Sequence, residues 1–242
     1  MESGGSGGGI DVYRNMIIVN CNISGNSAWT GGGINAGSSG INLFSNCVIN
    51  ANVASAYSGG VDLGQGSSLL NSLVFDNLSS NRGGGIYFNY GGTIKNCTVV
   101  GNTALISGGG VYCDLYATNL NSIIYFNSSV DGTNYYNEGN ISNSVYKYTC
   151  TFPKPFGVEN ISDDPQFVSP IGNNWRLQPT SPCVNAGTNI YAPIPWDLDG
   201  NPRIVGGTVD IGAYELVPEP GIVFSILCSV FSILILRRQF NL

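Results

Sequence analysis

The sequence contains no histidine and few charged residues. Its 242 residues include 9 Lys and Arg against 15 Asp and Glu, which gives a formal net charge of −6. Without histidine, a Ser-His-Asp triad, a Cys-His pair and a His-ligated zinc site are excluded. The basic residues are scattered, so we expect no basic patch for a phosphate backbone and no nucleic-acid partner.

The sequence also lacks a Cys-x-x-Cys pair and, over most of its length, a helical stripe of apolar residues. The first absence excludes a zinc ribbon or a thioredoxin-type motif, and the second argues against a helical fold. Instead the chain has 34 glycines and 43% apolar residues. Short β-branched stretches lie between Gly, Asn and Ser residues, which predicts strands separated by turns.

One motif recurs five times at a period of about 25 residues. Each copy opens with a glycine run closed by an apolar residue, namely Ile10, Ile34, Val61, Ile86 and Val111. A first asparagine column follows at Asn20, Asn46, Asn71, Asn96 and Asn121. A second column follows at Asn26, Asn52, Asn77, Asn102 and Asn127. Self-similarity at a fixed period indicates a solenoid.

The length of each copy predicts the kind of solenoid. About 25 residues are too few for paired helices and suit a coil of three short strands, stacked at ~4.8 Å. We therefore predict an all-β fold: a single-stranded, right-handed parallel β-helix of five to six coils over residues 1–146. Asn143 is the candidate start of a degenerate sixth copy. The inward column is predicted at Ile23, Ile49, Val74, Val99 and Ile124.

The asparagine columns are predicted to be structural ladders at the corners of the coils. Asparagine tolerates left-handed backbone, and stacked side-chain amides can bond from coil to coil. The position after the first asparagine is small in every copy and should form its own column, at Cys21, Cys47, Ser72, Cys97, Ser122 and Ser144.

The cysteines allow two disulfides besides a purely structural interpretation as small buried residues. Cys21 and Cys47 would occupy one column on adjacent coils, at ~5 Å between Cα atoms, which is within disulfide range. Cys150 and Cys183 both fall in the loop-rich C-terminal part and form the other candidate pair. The sequence leaves the pairing open.

After residue 146 the period stops. Residues 147–215 are rich in proline and turns, and we predict a loop-rich cap in which Phe167, Trp175, Leu177 and Trp196 cover the last coil. Residues 216–242 hold Pro218-Glu219-Pro220, an apolar run at 221–236 and the pair Arg237-Arg238. The run predicts a C-terminal transmembrane helix of ~24 Å. The arginines place its end on the cytoplasmic side, so the β-helix would lie outside.

Three stretches resemble known families. Gly-Gly-Gly-Ile/Val paired with Ile/Val-x-x-Asn resembles the polymorphic outer-membrane protein repeat, within the wider class of pectin-lyase-like β-helices. This sequence has Gly for the family's Ala and Ile or Val for its Phe. The closing run of the cap, from Asp197 to Glu215, resembles the choice-of-anchor Q module of secreted β-helices. The tail resembles the PEP-CTERM sorting signal.

The resemblances imply a location and a partner. A PEP-CTERM signal is recognised by an exosortase in Gram-negative bacteria, which implies sorting to the cell envelope or the extracellular surface. The C-terminal helix would lie in the inner membrane before sorting, and Pro218, Glu219, Pro220, Arg237 and Arg238 would form the signal. Because the chain enters the glycine motif at once, we also expect further coils and an export signal upstream of Met1.

Two acidic residues are the available catalytic candidates. Asp11, Asn35 and Asp62 follow the glycine motif and should form one outward column continued by Tyr87 and Tyr112. Asp11 and Asp62, two coils apart, would lie ~10 Å from each other, near the range of inverting glycosidases. The alternative is an ordinary solvated face, because no column of Lys or Arg accompanies the acids.

Two further patterns have a functional and an ordinary interpretation. Asp197 and Asp199 stand in an Asp-x-Asp-Gly sequence that resembles a calcium loop but lacks the distal glutamate, so an ordinary turn is the alternative. A calcium ion is the one cofactor that the sequence suggests. Tyrosines on the repeats are candidates for stacking sugars, namely Tyr87, Tyr112, Tyr116, Tyr135 and Tyr136.

The sequence leaves two functions open. The favoured one is an exported structural or adhesion β-helix that binds extracellular matrix or polysaccharide and has no chemistry of its own. The alternative is an enzyme that degrades polysaccharide, as a pectin-lyase-like lyase or an inverting glycoside hydrolase. A cluster of acid and base on one face would separate the two, and the sequence shows no convincing one.

Overall fold

The computed structural model describes residues 5–37, 40–140 and 143–218. Short strands follow one another along the coils. The first two coils contain β1 (Ile10–Asp11), β2 (Ile17–Val19), β3 (Asn22–Ser24), β4 (Ser27–Thr30), β5 (Ile34–Ala36), β6 (Leu43–Ser45), β7 (Val48–Asn50) and β8 (Val53–Tyr57). The next two contain β9 (Val61–Gly64), β10 (Ser68–Leu70), β11 (Leu73–Phe75), β12 (Leu78–Ser79), β13 (Ile86–Asn89), β14 (Thr93–Lys95), β15 (Thr98–Val100) and β16 (Thr103–Ala104).

The remaining strands complete the coils and add one hairpin. They are β17 (Val111–Cys113), β18 (Thr118–Leu120), β19 (Ile123–Tyr125), β20 (Tyr135–Asn137), β21 (Val145–Lys147), β22 (Cys150–Thr151), β23 (Phe167–Ser169) and β24 (Asn174–Leu177). Strands β23 and β24 pair antiparallel. Short 3₁₀ turns occur at Glu138–Asn140, Pro170–Gly172 and Asn189–Tyr191.

Equivalent strands of successive coils pair in parallel to form four sheets. Sheet 1 is β1-β5-β9-β13-β17-β20, sheet 2 is β2-β6-β10-β14-β18-β21, sheet 3 is β3-β7-β11-β15-β19-β22, and sheet 4 is β4-β8-β12-β16. This confirms the predicted all-β, right-handed parallel β-helix of five to six coils. The prediction of three strands per coil was wrong. A fourth strand forms between the second asparagine and the glycine run, where Ala28 and Ala54 are aligned.

The interior follows the predicted column. Ile49, Val74, Val99 and Ile124 are fully buried, and Ile23 is nearly so. They stand in direct register across sheet 3. Each therefore packs on its equivalents above and below, and the core is a continuous column rather than a separate core for each coil.

The second asparagine column runs up the corner between sheets 3 and 4. The backbone N–H and the Nδ2 of Asn77 both donate to Oδ1 of Asn102, at 3.0 and 2.9 Å, and Asn102 repeats the pattern on Asn127. Asn26 and Asn52 make the same bonds. A Cβ on the third glycine of a run would collide with this ladder: at Gly85 it would lie 2.9 Å from Nδ2 of Asn102. This contact explains why the glycine run and the second asparagine column recur together.

The first asparagine column occupies the corner between sheets 2 and 3. All five residues have left-handed backbone, with φ between 47° and 55°. Asn71 donates to Asn46 at 2.9 Å and Asn121 donates to Asn96 at 3.1 Å, so the ladder consists of pairs. The remaining amide hydrogens of three of these residues bind the C-terminal part of the chain, as described below.

The sixth coil is out of frame with the predicted repeat. Strand β21 pairs in register with β18, so Tyr148, with a φ of 51°, takes the corner that Asn121 holds one coil earlier. Thr149 takes the small position of Ser122. The prediction that Asn143 and Ser144 fill these places was therefore wrong. The turn Glu138–Asn140 lengthens the preceding loop and moves the equivalent positions along the chain.

The C-terminal segment, defined as residues 162–218, lies against the side of the β-helix and not over its last coil. Its hairpin places Phe167, Trp175 and Leu177 in one buried cluster with outward residues of sheet 3. Trp196 is 52% exposed, so its predicted role in covering the last coil was wrong as well. The reason lies in sheet 3, which has apolar outward residues on β11, β15 and β19 that the segment buries, namely Leu73, Phe75, Val100 and Ile123.

The segment is also attached by hydrogen bonds from the first asparagine column. Nδ2 of Asn71, Asn96 and Asn121 each donates 2.9 Å to a backbone carbonyl, of Trp196, Tyr191 and Thr188 respectively. Residues 219–242, with the predicted transmembrane helix at 221–236 and most of the sorting signal, lie outside the described residues. No helix within the part of the chain described here is long and apolar enough to cross a membrane.

Candidate functional site

The outward face of sheet 1 carries the column that the sequence singled out. Parallel register aligns Asp11 with Asn35, Asn35 with Asp62, Asp62 with Tyr87, Tyr87 with Tyr112 and Tyr112 with Tyr136. Because side chains alternate along a strand, the residues on either side of this column point into the core. The column is therefore a single stripe of acids, amide and tyrosines along the outside of the β-helix.

Asp11, at one end of the stripe, is exposed and bound by its neighbours. Nδ2 of Asn35 donates to one carboxylate oxygen at 2.7 Å, and the hydroxyl of Tyr13 donates to the other at 3.0 Å. Asn35 stands between Asp11 and Asp62 in the register. The two candidate acids are therefore on one face but not in direct contact, and their environments differ.

Asp62 is buried, with 3% of its surface exposed. Gly37, which directly follows β5, lies against it, since a Cβ there would be 3.0 Å from Oδ1 of Asp62. That oxygen accepts no hydrogen bond from the residues that the structure describes. Burial raises the pKa of Asp62 to about 7. A carboxyl group with such a pKa exchanges a proton near neutral pH, which is the property of a general acid or base.

Four tyrosines form what we call the tyrosine row: Tyr57, Tyr87, Tyr112 and Tyr136. The ring centroids of Tyr87 and Tyr112 are 5.2 Å apart with the planes 4° from parallel. Tyr112 and Tyr136 are 5.4 Å apart at 12°, and Tyr57 and Tyr87 are 5.4 Å apart at 37°. The separations among Tyr87, Tyr112 and Tyr136 follow the spacing of the coils, because these three residues are aligned in sheet 1. Tyr57 extends the row from the end of β8 in sheet 4.

Charged side chains flank the row. The guanidinium of Arg82 lies 4.9 Å from the ring centroid of Tyr112 and pairs with Glu138 at 3.5 Å. The hydroxyl of Tyr87 donates 3.3 Å to Asp114. Burial raises the pKa of Tyr87 well above its ordinary value, and the carboxylates of Asp114 and Asp62 add to the effect. The phenol therefore stays protonated and remains a donor.

The tyrosines predicted from the sequence to stack on sugars do not all lie on one face. Tyr87, Tyr112 and Tyr136 are in the row, with Tyr112 fully buried and the other two half-buried. Tyr135 points inward and packs on Tyr146, at 5.1 Å between centroids. Tyr116 is exposed in a loop with left-handed backbone.

Sequence reasoning missed one member of the row, Tyr57, and the flanking residues Arg82, Asp114 and Glu138. A signal for two of them was present: Tyr57 and Arg82 each immediately precede a glycine run or its Ser58 variant, and they pair across coils. The residue before the run is therefore also a column. Asp114 and Glu138 belong to loops without a fixed period, and the sequence alone offers no comparable signal for them.

The predicted calcium loop is occupied by hydrogen bonds. Oδ1 of Asp197 accepts from the backbone of Asp199 and Asn201, and Oδ2 accepts from Asn201 and Glu215. Asp199 pairs with Arg176. Within residues 5–37, 40–140 and 143–218, no group of three or more acids or cysteines is placed to hold a metal ion. The loop has the geometry of an Asx turn, and the carboxylate oxygens of Asp197 and Asp199 are engaged by these donors and by Arg176, so the residues as arranged do not fit a calcium ion.

Comparisons with known proteins yield one match of fold. The chain aligns with the crystal structure of pectate lyase Pel9A over 88% of its own length and 69% of that chain, with a TM-score of 0.41 and 15% identity. At this level of similarity the alignment concerns the β-helix alone and carries no argument about activity. No protein-family model matches the sequence, and a search of curated proteins found no match.

Proposed function

We propose that this protein is a surface-displayed β-helix that binds extracellular polysaccharide along the outer face of sheet 1. The tyrosine row carries the proposal. Sugars present both apolar C–H faces and hydroxyls, and tyrosine offers an apolar ring together with a hydroxyl. A row repeated at the spacing of the coils suits a polymer of repeated units, because solenoids form extended binding surfaces in this way.

A comparison of sheet 1 with sheet 3 also supports sheet 1 as the binding face. On sheet 3 the outward residues of β11, β15 and β19 in the buried cluster, namely Leu73, Phe75, Val100 and Ile123, are covered by the C-terminal segment. On sheet 1, by contrast, the half-buried Tyr87 and Tyr136 stand beside Arg82, Asp114 and Glu138, and Tyr57 at the end of β8 stacks on Tyr87. The stripe thus offers a sugar three kinds of contact. The tyrosine rings supply apolar surface, the carboxylates accept hydrogen bonds, and the guanidinium donates them.

The location at the cell surface rests on the tail. We propose that Pro218, Glu219 and Pro220 with Arg237 and Arg238 are a sorting signal for an exosortase-type protease in a Gram-negative envelope, with residues 221–236 in the inner membrane before sorting. Residues 147–215 would then be the module that ends the β-helix before this signal. The proline-containing stretch cannot be helical at its prolines, which favours an extended peptide accessible to a protease.

Affinity electrophoresis against a panel of soluble polysaccharides, both acidic and neutral, tests the binding function. The wild-type chain should be retarded by at least one of them. Tyr57→Ala and Tyr87→Ala should each weaken that binding about tenfold, since loss of one aromatic contact corresponds to roughly 1.4 kcal/mol. Tyr90→Ala and Tyr116→Ala are matched controls, because both rings are exposed in loops away from the row.

The outcome against the proposal is equally specific. If no polysaccharide in the panel retards the wild type, or if the variants of the row bind as the loop controls do, sheet 1 is not a polysaccharide-binding face. Thermal melting of every variant shows whether a loss of binding reflects loss of the fold instead.

One observation favours a catalytic alternative, the degradation of polysaccharide. Asp62 is a buried carboxyl group with a pKa of about 7, adjacent in register to Tyr87. It could act as the proton donor or acceptor of a lyase or a hydrolase. Reducing ends detect either reaction, and an unsaturated product that absorbs in the ultraviolet detects only the lyase. Asp62→Asn should abolish such turnover while leaving binding intact, and a wild-type chain without turnover refutes the alternative.

A further inference from the structure

Carboxylates stand on both sides of the tyrosine row. Asp114 directly follows β17 and accepts a hydrogen bond from the Tyr87 hydroxyl at 3.3 Å. Glu138 directly follows β20, so it lies one coil further along the same edge of sheet 1. At the opposite edge, the exposed Asp131 pairs with Ser107, in the column that precedes the glycine runs. A ligand that lies along the row therefore meets acids at either edge.

The positive charge at the row is already paired. Arg82 belongs to the same column as Asp131, whereas Glu138 lies at the other edge of sheet 1, two coils away. Their ion pair at 3.5 Å therefore crosses the row, and the guanidinium lies 4.9 Å from the centroid of the Tyr112 ring. The other basic residues of the described chain lie in the loop after β1, in sheet 2, in the loop after β22 and in the C-terminal segment, namely Arg14, Lys95, Lys147, Lys154, Arg176 and Arg203.

This distribution of charge disfavours an acidic polymer. Asp114 lies one coil, ~4.8 Å, before Asp131 and Glu138. A ligand carboxylate at this end of the row would be within one Debye length of all three acids, which is ~10 Å at 0.1 M salt. Two like charges ~5 Å apart in water lower an affinity about fourfold. Since Arg82 compensates Glu138, the two uncompensated acids should lower the affinity for an acidic polymer about tenfold after screening.

A cationic polymer is disfavoured for another reason. An ammonium group binds an aromatic row by lying over the face of a ring. At Tyr112 the guanidinium of Arg82 already occupies this place. The hydroxyls of an uncharged sugar, by contrast, can donate to carboxylates, and hydrogen bonds to an ionised acceptor are short and strong. Acids beside aromatic rings therefore match a polymer that is rich in hydroxyls and carries no charge.

We propose that the polysaccharide bound along the tyrosine row is uncharged and that its hydroxyls donate hydrogen bonds to Asp114 and Glu138. The inference rests on the proposed function and narrows it to one class of ligand. The rings of the row contact the apolar faces of the sugars, and the two carboxylates orient the polymer. Asp131 acts against acidic polymers through its charge.

Affinity electrophoresis tests the charge of the ligand. Dextran, galactomannan and xyloglucan are the uncharged polymers, and polygalacturonate and alginate are the acidic ones. The hydroxyethyl, carboxymethyl and diethylaminoethyl ethers of each polymer that retards the wild type are then compared, because they differ in charge on one backbone. Only binding that Tyr87→Ala weakens about tenfold is assigned to the row, which separates it from general attraction between a cationic polymer and an acidic protein.

The expected order of affinities is specific. At about 0.02 M salt the row should bind the hydroxyethyl ether at least about tenfold more tightly than either charged ether. The difference from the carboxymethyl ether should shrink at about 0.5 M salt, because salt screens the repulsion.

Variants separate the two roles of the acids. Asp131→Asn should raise the affinity for the carboxymethyl ether about fourfold and leave that for the hydroxyethyl ether unchanged. Asp114→Ala should weaken binding of the hydroxyethyl ether about tenfold, because an acceptor is lost. Asp163→Asn, at an exposed acid of the C-terminal segment, is the matched control and should change neither affinity. If Asp114→Ala does not fold, Glu138→Ala tests the same role, since that side chain is 44% exposed.

Two results would overturn the inference and leave the proposed function standing. One is binding along the row of polygalacturonate or alginate but of no uncharged polymer. The other is a charged ether that binds the row as tightly as the hydroxyethyl ether. Retardation by no polysaccharide at all would instead refute the proposed function, and the inference with it.

Discussion

The outer faces of sheets 1 and 3 come from the same repeat but differ in what covers them. On sheet 3 the outward residues Leu73, Phe75, Val100 and Ile123 are apolar, and the C-terminal segment buries them with Phe167 and Trp175. On sheet 1 the outward stripe is polar and aromatic, and the tyrosine row leaves three of its rings half-buried. A solenoid supplies several equivalent faces, so the outward residues determine which face stabilises the fold and which can meet a ligand.

The largest expected effect concerns the cover of sheet 3. Trp175→Ala removes a large side chain that is 5% exposed and packs edge-on against Phe167 at 5.2 Å between centroids. We expect a loss of about 4 kcal/mol in the free energy of unfolding, measured by denaturant titration. Trp196→Ala is the control, because that ring is 52% exposed. Equal losses for the two tryptophans would mean that the segment is not held by this cluster.

The second prediction concerns the ladder that both faces share. Asn102→Ala leaves the backbone N–H and Nδ2 of Asn77 without their acceptor and removes the donor to the carbonyls of Val74 and Val100. Buried groups without partners are costly, so we expect a loss of about 3 kcal/mol in unfolding free energy. Asn22→Ala, at an exposed position of β3, should change it by less than about 0.5 kcal/mol. A small effect at Asn102 would show that the ladder does not carry stability.

The third prediction uses pH to probe sheet 1. Burial raises the pKa of Asp62 to about 7, above the ~3.9 of an unfolded aspartate. Between these values the folded state binds the extra proton, so this group makes stability fall as pH rises from about 4 to about 7. Asp62→Asn should remove this contribution. Relative to wild type, the variant should gain on the order of 2 kcal/mol on going from pH 4 to pH 8.

Chemical unfolding of both proteins at the two pH values measures this difference. Because the comparison is between two proteins at each pH, titration of other groups such as Glu215, whose pKa burial also raises to about 7, cancels. A difference between the proteins that does not change with pH would show that Asp62 is not held in a buried environment.

The smallest expected effect concerns how the C-terminal segment is attached. Asn96→Ala removes the bond from Nδ2 to the carbonyl of Tyr191 and the acceptor of Asn121. We expect a loss of about 1–2 kcal/mol, together with faster hydrogen exchange at residues 188–196. Asn20→Ala is matched for left-handed backbone, with a φ of 55° against 50°. If both variants lose the same unfolding free energy, the loss arises from the left-handed backbone and not from the hydrogen bond to the C-terminal segment.

Much of the fold was predictable because its determinants recur at a fixed period. Val99 is buried where the repeat places it, and the asparagine and glycine columns meet because one packs on the other. The frame of the sixth coil was not predictable, since a lengthened loop puts Tyr148 in the position of an asparagine. The position of the C-terminal segment depends on residues such as Val100 and Phe75, whose outward orientation appears only once the register is known.

The candidate site was predictable to the same degree. Asp62, Tyr87 and Tyr112 follow the glycine run and were found as a column. Whether a member of that column is buried depends on its local surroundings, such as the contact between Asp62 and Gly37. The burial that raises the pKa of Asp62 was therefore not predictable from the repeat alone.

Hydroxyl-radical footprinting of aromatic side chains, with and without a polysaccharide that retards the protein, tests the role of sheet 1 most directly. It compares the two faces within one sample. The account predicts that the polysaccharide protects Tyr57, Tyr87 and Tyr136, while Tyr90, Tyr116 and the exposed Trp196 beside sheet 3 keep their reactivity. Protection of Trp196 with no change in the tyrosine row would contradict it.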